Sequence, residues 1–268
     1  MNPSLFTNKK PIIGCVHLLP LPGAPGYEGS LNKVIDTALA ETEIFKKHKL
    51  DGLIIENFRD VPFYPGQLPP ETIASMTAVA QKVVELFGGI VGINALRNDA
   101  ASALAIALSS GAKFIRVNVH TGAAVTDHGV IEGKAHETLR LKQRLQADIK
   151  IFADVHVKHA APLGNRGIEL EAADALHRGM ADALIVSGSG TGAATAFSDL
   201  GKVKHYVKAP VFIGSGTTPE NLAELMKLAD GFIVGSYFKK DGKALNLVEE
   251  ERVRDFMDHY HKLKENYE

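Results

Sequence analysis

The chain has 268 residues, an apolar fraction of 45% and a net charge of −1. That length fits one (β/α) barrel, for which about 250 residues is typical, and it allows a large core. The balance of 30 basic and 31 acidic side chains, with no block of one sign, excludes the basic stripe of a nucleic-acid partner, and the lone cysteine, Cys15, excludes an intrachain disulfide.

In chain order, continuous apolar runs predict buried strands at Ile12–Leu18, Leu53–Asn57, Ile90–Asn94, Phe114–Val119, Ile151–Val157, Ala183–Ser187, Val211–Gly214 and Phe232–Gly235. Helical patterns follow each of them, at about Leu31–His48, Pro70–Phe87, Asp99–Ser110, Lys134–Gln146, Ile168–Arg178, Ala193–Val207, Pro219–Leu228 and Leu247–Lys264. One phrase recurs: Asp51-Gly52-Leu53-Ile54-Ile55-Glu56, Asp182-Ala183-Leu184-Ile185-Val186-Ser187 and Asp230-Gly231-Phe232-Ile233-Val234-Gly235 each read as a turn, a buried strand and a small or polar end. Repeated strand–helix units predict a single (β/α)8 TIM barrel over residues 1–268, closed by a C-terminal helix at about 247–264. No window comes near 18 uninterrupted apolar residues, so no transmembrane helix is expected. The first six residues have neither the charge nor the apolar run of a signal peptide, and a cytoplasmic protein is the expectation.

Loop lengths break the symmetry of the repeats. Helix-to-strand connections such as Gly88-Gly89 and Gly111-Ala112-Lys113 are terse, whereas the strand-to-helix segments 19–30, 58–69, 120–133 and 158–167 are long. Long loops gathered on one face mark the catalytic end of a barrel. The loops after the first, second and fourth strands are expected to close over the mouth as a lid.

Small, donor-rich residues follow the last three strands. Ser187, Gly188 and Thr191, then Gly214, Ser215 and Gly216, then Gly235 and Ser236 form an expected phosphate cradle, because glycine lets backbone N–H groups approach an anion. The bland alternative is that these glycines only make tight turns.

Strand parity supplies the candidate chemistry. Asp154, His156 and Lys158 share one face of the fifth strand, as Arg116, Asn118 and His120 share one face of the fourth; the apolar sets between them face the helices. Glu56 ends the second strand, Asn94 the third and His17 the first. The expected catalytic set is Glu56, Asp154, His156, Lys158, His17 and Asn118. Glu56 or Asp154 would serve as a base, and His156 or Lys158 as a donor to a developing enolate. Arg116 is as well explained by a structural ion pair with Asp154 as by catalysis. His17, Glu56, Asp154 and His156 offer donors for a divalent metal, but no local ligand signature joins them, so no metal ligand is assigned. Flavin mononucleotide is a further candidate without a sign of its own. No cofactor is required by the sequence.

Several segments resemble one known family. Pro11-Ile12-Ile13-Gly14-Cys15-Val16-His17-Leu18-Leu19-Pro20-Leu21-Pro22-Gly23-Ala24-Pro25 resembles the opening of the BtpA/SgcQ family, the photosystem I biogenesis protein BtpA group. Gly52–Phe58, Arg116–Asn118, Ala153–His159 and Val186–Gly192 are similar to later segments of that family, so the likeness spans nearly the whole chain. The resemblance implies a barrel of the ribulose-phosphate-binding type. Members also occur in non-photosynthetic bacteria, some near sugar-transport genes, which suits a phosphosugar enzyme better than a dedicated assembly factor. The expected function is therefore a phosphosugar- or phosphate-ester-binding barrel enzyme with isomerase-, epimerase- or lyase-like acid–base chemistry, its partner a phosphorylated small molecule. A non-catalytic assembly or stability factor for photosystem I biogenesis and a flavin- or metal-dependent enzyme are the alternatives. Homo-oligomer formation is left open.

Overall fold

The computed structural model describes residues 5–164, 166–187 and 197–265. Eight parallel strands close into a barrel. They are β1 (Ile12–His17), β2 (Gly52–Glu56), β3 (Ile90–Asn94), β4 (Phe114–Val117), β5 (Lys150–Val155), β6 (Ala183–Val186), β7 (Val211–Ile213) and β8 (Gly231–Val234). Each pairs with its neighbours in sequence, and β8 returns to β1 through Ile13↔Ile233. The surrounding helices are α1 (Leu31–Lys47), α2 (Pro70–Phe87), α3 (Ala100–Ser110), α4 (Ala135–Arg144), α5 (Ile168–Ala173), α6 (Phe197–Tyr206), α7 (Pro219–Leu225) and α8 (Glu250–Glu265). The TIM barrel expected from the repeated phrase is the observed fold. The expected helix start at 193–196 and the residues Gly188 and Thr191 of the expected cradle lie outside the described residues.

Local chemistry explains the helix starts. The Ser30 side chain accepts from Lys33 N at the head of α1, and Asp99 accepts from Ser102 N at the head of α3. Thr218 and Asn221 form a reciprocal capping box around Pro219 at the head of α7. α5 is shorter than its pattern suggests, because Asp174–Arg178 widens into a π-helical turn.

Two apolar layers result. The larger lies between strands and helices. The smaller fills the barrel: Phe6, Ile13, Cys15, Ile54, Phe114, Phe152, Ile185, Phe212 and Ile233. Phe114 stacks on Phe152 with centroids 4.6 Å apart, Phe152 meets Phe212 at 5.0 Å, and Phe6 packs against both outer rings. These rings fit only because β3 and β8 offer glycine opposite them; a Cβ at Gly92 or Gly231 would collide with Phe114 or Phe212. This aromatic floor seals the N-terminal end of the barrel, so charged side chains can enter only from the C-terminal end.

The segments read as plain loops after β4 and β5 are partly ordered as strand. Ala123–Thr126 and Gly129–Glu132 form an antiparallel hairpin, and Ala160–Pro162 pairs along its other edge. Val119, Ala124, Ile131 and Val157 fill a small apolar cluster beneath this sheet. The alternation in 123–126 and 129–132 is too short to distinguish from loop in the sequence.

Candidate functional site

The inward faces of β1 to β5 turn polar at their C-terminal ends. Arg116 on β4 donates to Asp154 on β5 twice, Nε to Oδ2 at 2.8 Å and Nη2 to Oδ1 at 2.9 Å. Its Nη1 reaches Glu56 Oε1 on β2 at 3.4 Å. All three side chains are buried. Burial alone would lower the Arg116 pKa, but the charge and hydrogen bonds of Asp154, with Glu56 beyond, outweigh it and raise it above the usual guanidinium range. Two amides complete the cluster: Asn94 Nδ2 donates to Glu56 Oε1 at 3.1 Å, and Asn118 Nδ2 donates to Asp154 Oδ2 at 3.0 Å. Gly214 makes room for it, since a Cβ there would stand 2.5 Å from Ile185 Cγ2 and 3.3 Å from Arg116 Nη2.

His17 enters from β1. Its Nδ1 is 3.0 Å from the Ala244 carbonyl, which can only accept, so the ring proton is assigned to Nδ1. Nε2 then points its lone pair towards Glu56 Oε2, 3.7 Å away. Phe58 stacks on the imidazole at 4.1 Å. Burial, and then the charge of Lys239, push the His17 pKa well below its usual value, so the ring is neutral. Cys15, one inward step deeper, is pushed up to about 12 by burial and by Glu56, and is an inert thiol.

Strand alternation does not carry through β5 as the sequence suggests. His156 adopts a left-handed backbone, φ 52°, and turns outward to Glu171 of α5, Nε2 to Oε2 at 3.3 Å. It stands at the edge of the mouth, in a cavity of about 140 Å³ shared with Asn118, Asp154 and Arg166. His120 likewise leaves the expected face and turns its Nε2 to the Gly179 carbonyl at 2.8 Å. Lys158 does belong to the cluster electrostatically. Burial and then Arg116 lower its pKa, against Glu56, Cys15 and Asp154, and its ammonium has no ion pair or hydrogen bond among the described residues. Arg97 was not read from the sequence, where no pattern marks it. It is buried, donates to the Lys158 carbonyl at 2.8 Å and lies in the field of Asp154.

The opposite side of the mouth has a different character. After β7 come Gly214, Ser215, Gly216 and Thr217; after β8 come Gly235 and Ser236, which open a short 3-10 turn. Gly216 takes a left-handed φ of 77°, which turns the loop sharply before α7. Thr217 is buried, and its Oγ1 meets no hydrogen-bond partner among the described residues. Its neighbours in the Gly-Ser-Gly-Thr-Thr run were the signal in the sequence. Ser187, after β6, reaches Asp154 Oδ1 at 3.5 Å and so joins the two sides.

The loops expected to act as a lid are cross-linked to one another. Leu21 N donates to Asp60 Oδ1 at 2.8 Å, Arg59 donates to the carbonyls of His17, Leu245 and Asn246, and Phe63 N donates to His128 Nε2. They form a wall on the β1–β4 side. A cavity of about 760 Å³ lies behind this wall, lined by Tyr27, Lys33, Leu245 and Leu247. The buried charge cluster does not face it. Among the described residues no three His, Cys, Asp or Glu side chains gather as metal ligands, and no helix is long and apolar enough to cross a membrane.

Residues 8–262 match the family model described as the BtpA family. The chain belongs to the BtpA family. It is 44% identical over 254 residues to the photosystem I biogenesis protein BtpA of Synechocystis, covering 94% of this chain and 88% of that protein. An uncharacterized protein of Thermococcus kodakarensis is 45% identical over 250 residues, 93% of this chain and 95% of that one. A protein of Caenorhabditis elegans is 33% identical over 268 residues, 97% of this chain and 96% of that one. Among solved structures, thiamine phosphate pyrophosphorylase from Pyrococcus furiosus superimposes with a TM-score of 0.59 at 14% identity, covering 97% of both chains. N-(5'-phosphoribosyl)anthranilate isomerase from the same organism does so with a TM-score of 0.57 at 14% identity, covering 94% of this chain and 99% of that one. At such identity these likenesses speak for the fold alone.

Proposed function

We propose that this BtpA-family barrel is a cytoplasmic enzyme that binds a phosphorylated small molecule, a phosphosugar or another phosphate ester, and moves a proton next to its carbonyl. The observation that carries the reading is the division of the mouth. Ionisable side chains crowd the ends of β1, β2, β4 and β5, while the ends of β7 and β8 hold only glycines and hydroxyls. The second half suits a phosphate: backbone N–H groups of Gly216, Thr217, Gly235 and Ser236, with the Thr217 hydroxyl, which has no partner among the described residues, as a further donor. That the superimposed isomerase and pyrophosphorylase are named for phosphorylated compounds supports the same reading.

With phosphate held there, the carbon chain of the ligand crosses the barrel towards Glu56. Asp154 is committed to Arg116 and Asn118, whereas Glu56 Oε2 receives no hydrogen bond among the described residues. Glu56 is therefore the base: Oε2 takes the proton from the carbon beside the carbonyl. The Lys158 ammonium donates to the oxygen that gains negative charge. Arg116 and Asp154 hold Glu56 in place. His17, neutral and stacked on Phe58, lies beside the base as a proton relay.

The name of the Synechocystis relative favours a second reading, a photosystem assembly factor. Relatives in an archaeon and a nematode argue for a more general chemistry. Turnover of a phosphosugar panel by the parent protein and by Glu56→Gln, with and without divalent metal, tests the proposal. It requires turnover that is lost in the variant. A parent that converts nothing but binds a protein partner supports assembly, and a yellow purified protein supports a flavin.

A further inference from the structure

Several acceptors on the β1–β4 side of the mouth meet no donor among the described residues. Asn94 Oδ1 and Asn118 Oδ1 are buried and meet no partner among the described residues. Buried amide oxygens are normally satisfied, and leaving one without a donor is costly. Neither amide can flip to relieve this. Each Nδ2 is pinned to a carboxylate, Asn94 to Glu56 at 3.1 Å and Asn118 to Asp154 at 3.0 Å; a flip would set oxygen against oxygen. Two further acceptors stand beside them. His17 Nε2 carries a lone pair because Nδ1–H faces the Ala244 carbonyl, and it looks at Glu56 Oε2 across 3.7 Å. That gap is too long for a direct hydrogen bond and has an acceptor at each end.

Apart from the Lys158 ammonium, assigned above to the developing oxyanion, the charged donors beside these positions are engaged. Arg116 gives its N–H groups to Asp154 and Glu56, and Arg97 gives to the Lys158 carbonyl. A cation is a poor occupant, because Arg116 and Lys158 already place positive charge in the same field. Neutral donors remain, and hydroxyl groups supply them.

We propose that Asn94 and Asn118 are specificity-determining residues that receive hydroxyl groups of the ligand, so that the site selects a polyhydroxylated carbon chain over other phosphate esters. The carboxylates of Glu56 and Asp154 thus orient two amide oxygens towards the ligand, besides any part in chemistry. The proposal rests on the phosphate-binding reading for where that chain lies, and it narrows the substrate class to a hydroxylated sugar phosphate. A site built to pair with hydroxyls discriminates strongly against analogues that lack them, since its own polar groups are then left bare.

The test is calorimetric binding of ribose 5-phosphate, n-pentyl phosphate and inorganic phosphate to the full chain. The expected result is tighter binding of ribose 5-phosphate than of n-pentyl phosphate by about tenfold or more. Asn94→Leu and Asn118→Leu should each reduce that ratio several-fold by weakening ribose 5-phosphate alone, with inorganic phosphate unchanged. Equal binding of the two esters by the parent overturns the proposal, and so does a preference that survives in both folded variants; phosphate binding would still stand in those cases. The parent comparison decides the matter even if the variants do not fold. If inorganic phosphate fails to bind, the phosphate reading falls separately. Ribitol then takes the place of the ester: shifts of the Asn94 and Asn118 side-chain amide signals on adding it support the proposal, and their absence overturns it. Shifts of the same signals by magnesium ion alone would make the amides cation ligands and overturn it as well.

Discussion

Asp154 accepts two hydrogen bonds from Arg116 across the β4–β5 pair, at 2.8 and 2.9 Å, and Asn118 takes up the Oδ2 side as well. A carboxylate so engaged is an anchor. Its neighbour Glu56 shares only Oε1 with Arg116 and Asn94, and this separates the roles of two acids that strand parity alone treats alike. Breaking the anchor should therefore cost stability. Arg116→Gln and Asp154→Asn each take the principal partner from a buried charge, and removing one partner of such a pair typically costs about 3–5 kcal/mol. Denaturant unfolding should show losses of that size. A loss below about 1 kcal/mol in both would show that the pair is not the anchor.

Glu56→Gln should behave differently. Gln keeps an oxygen for Arg116 and Asn94, so the denaturation midpoint should stay near that of the parent. Turnover of any accepted phosphosugar should fall by about 10²–10⁴-fold, the usual consequence of losing a positioned base. Wild-type turnover in this variant would return Glu56 to a structural role.

Lys158 should set the alkaline limb of the rate. Burial, and then Arg116, lower its pKa, so the ammonium loses its proton below the ordinary lysine range of about 10.4. Rate should fall as pH rises through that lowered value. Lys158→Arg should move the limb to higher pH, and Lys158→Met should abolish turnover. An alkaline limb identical in parent and Lys158→Arg would exclude the residue.

Two buried histidines predict how stability responds to acid. Burial lowers the pKa of both His17 and His120. The unfolded chain, with imidazoles near about 6.5, takes up protons first as pH falls, while the folded chain does not. Stability is therefore complete above about pH 6.5 and declines as pH drops towards the lowered folded values. The double variant His17→Gln and His120→Gln should flatten the slope of unfolding free energy between about pH 6.5 and 5. An unchanged slope would assign the acid sensitivity to other groups.

The two cradle glycines should respond unequally. Gly216 has φ 77°, where a β-branched residue is strained, so Gly216→Val should lose both phosphate binding and thermal stability. Gly235 has φ −109°, and a Cβ there stands no closer than 3.4 Å to any neighbour, Cys15 Sγ being the nearest. Gly235→Val should weaken phosphate binding with little change in melting temperature. Phosphate affinity equal to that of the parent in both variants would remove the cradle from these loops.

The barrel was legible because parallel strands buried on both faces read as unbroken apolar runs, and Asp-Gly or Asp-Ala turns mark where they begin. The polar ends were legible for the same reason: His17, Glu56, Asn94, Arg116, Asn118 and Asp154 hold the inward parity that alternation assigns. Parity failed where strand ended. His156, with φ 52°, and His120, turned to Gly179, both lie past the last ladder hydrogen bond, and nothing in the local pattern fixes the direction of a side chain there. Arg97 and the buried Lys239–Glu41 pair, 2.9 Å apart between α1 and the segment after β8, depend on contacts between distant loops, which periodicity does not encode. The small sheet over the mouth depends on pairing 123–126 with 160–162, again a long-range choice.

The most direct measurement of the central claim is the electron density of a crystal soaked in inorganic phosphate. The account predicts one tetrahedral anion against the N–H groups of Gly216, Thr217, Gly235 and Ser236, with the Thr217 hydroxyl donating to it and the side of the mouth at Glu56 left for the ligand's carbon chain. Phosphate bound elsewhere, with these loops empty at high concentration, would contradict it.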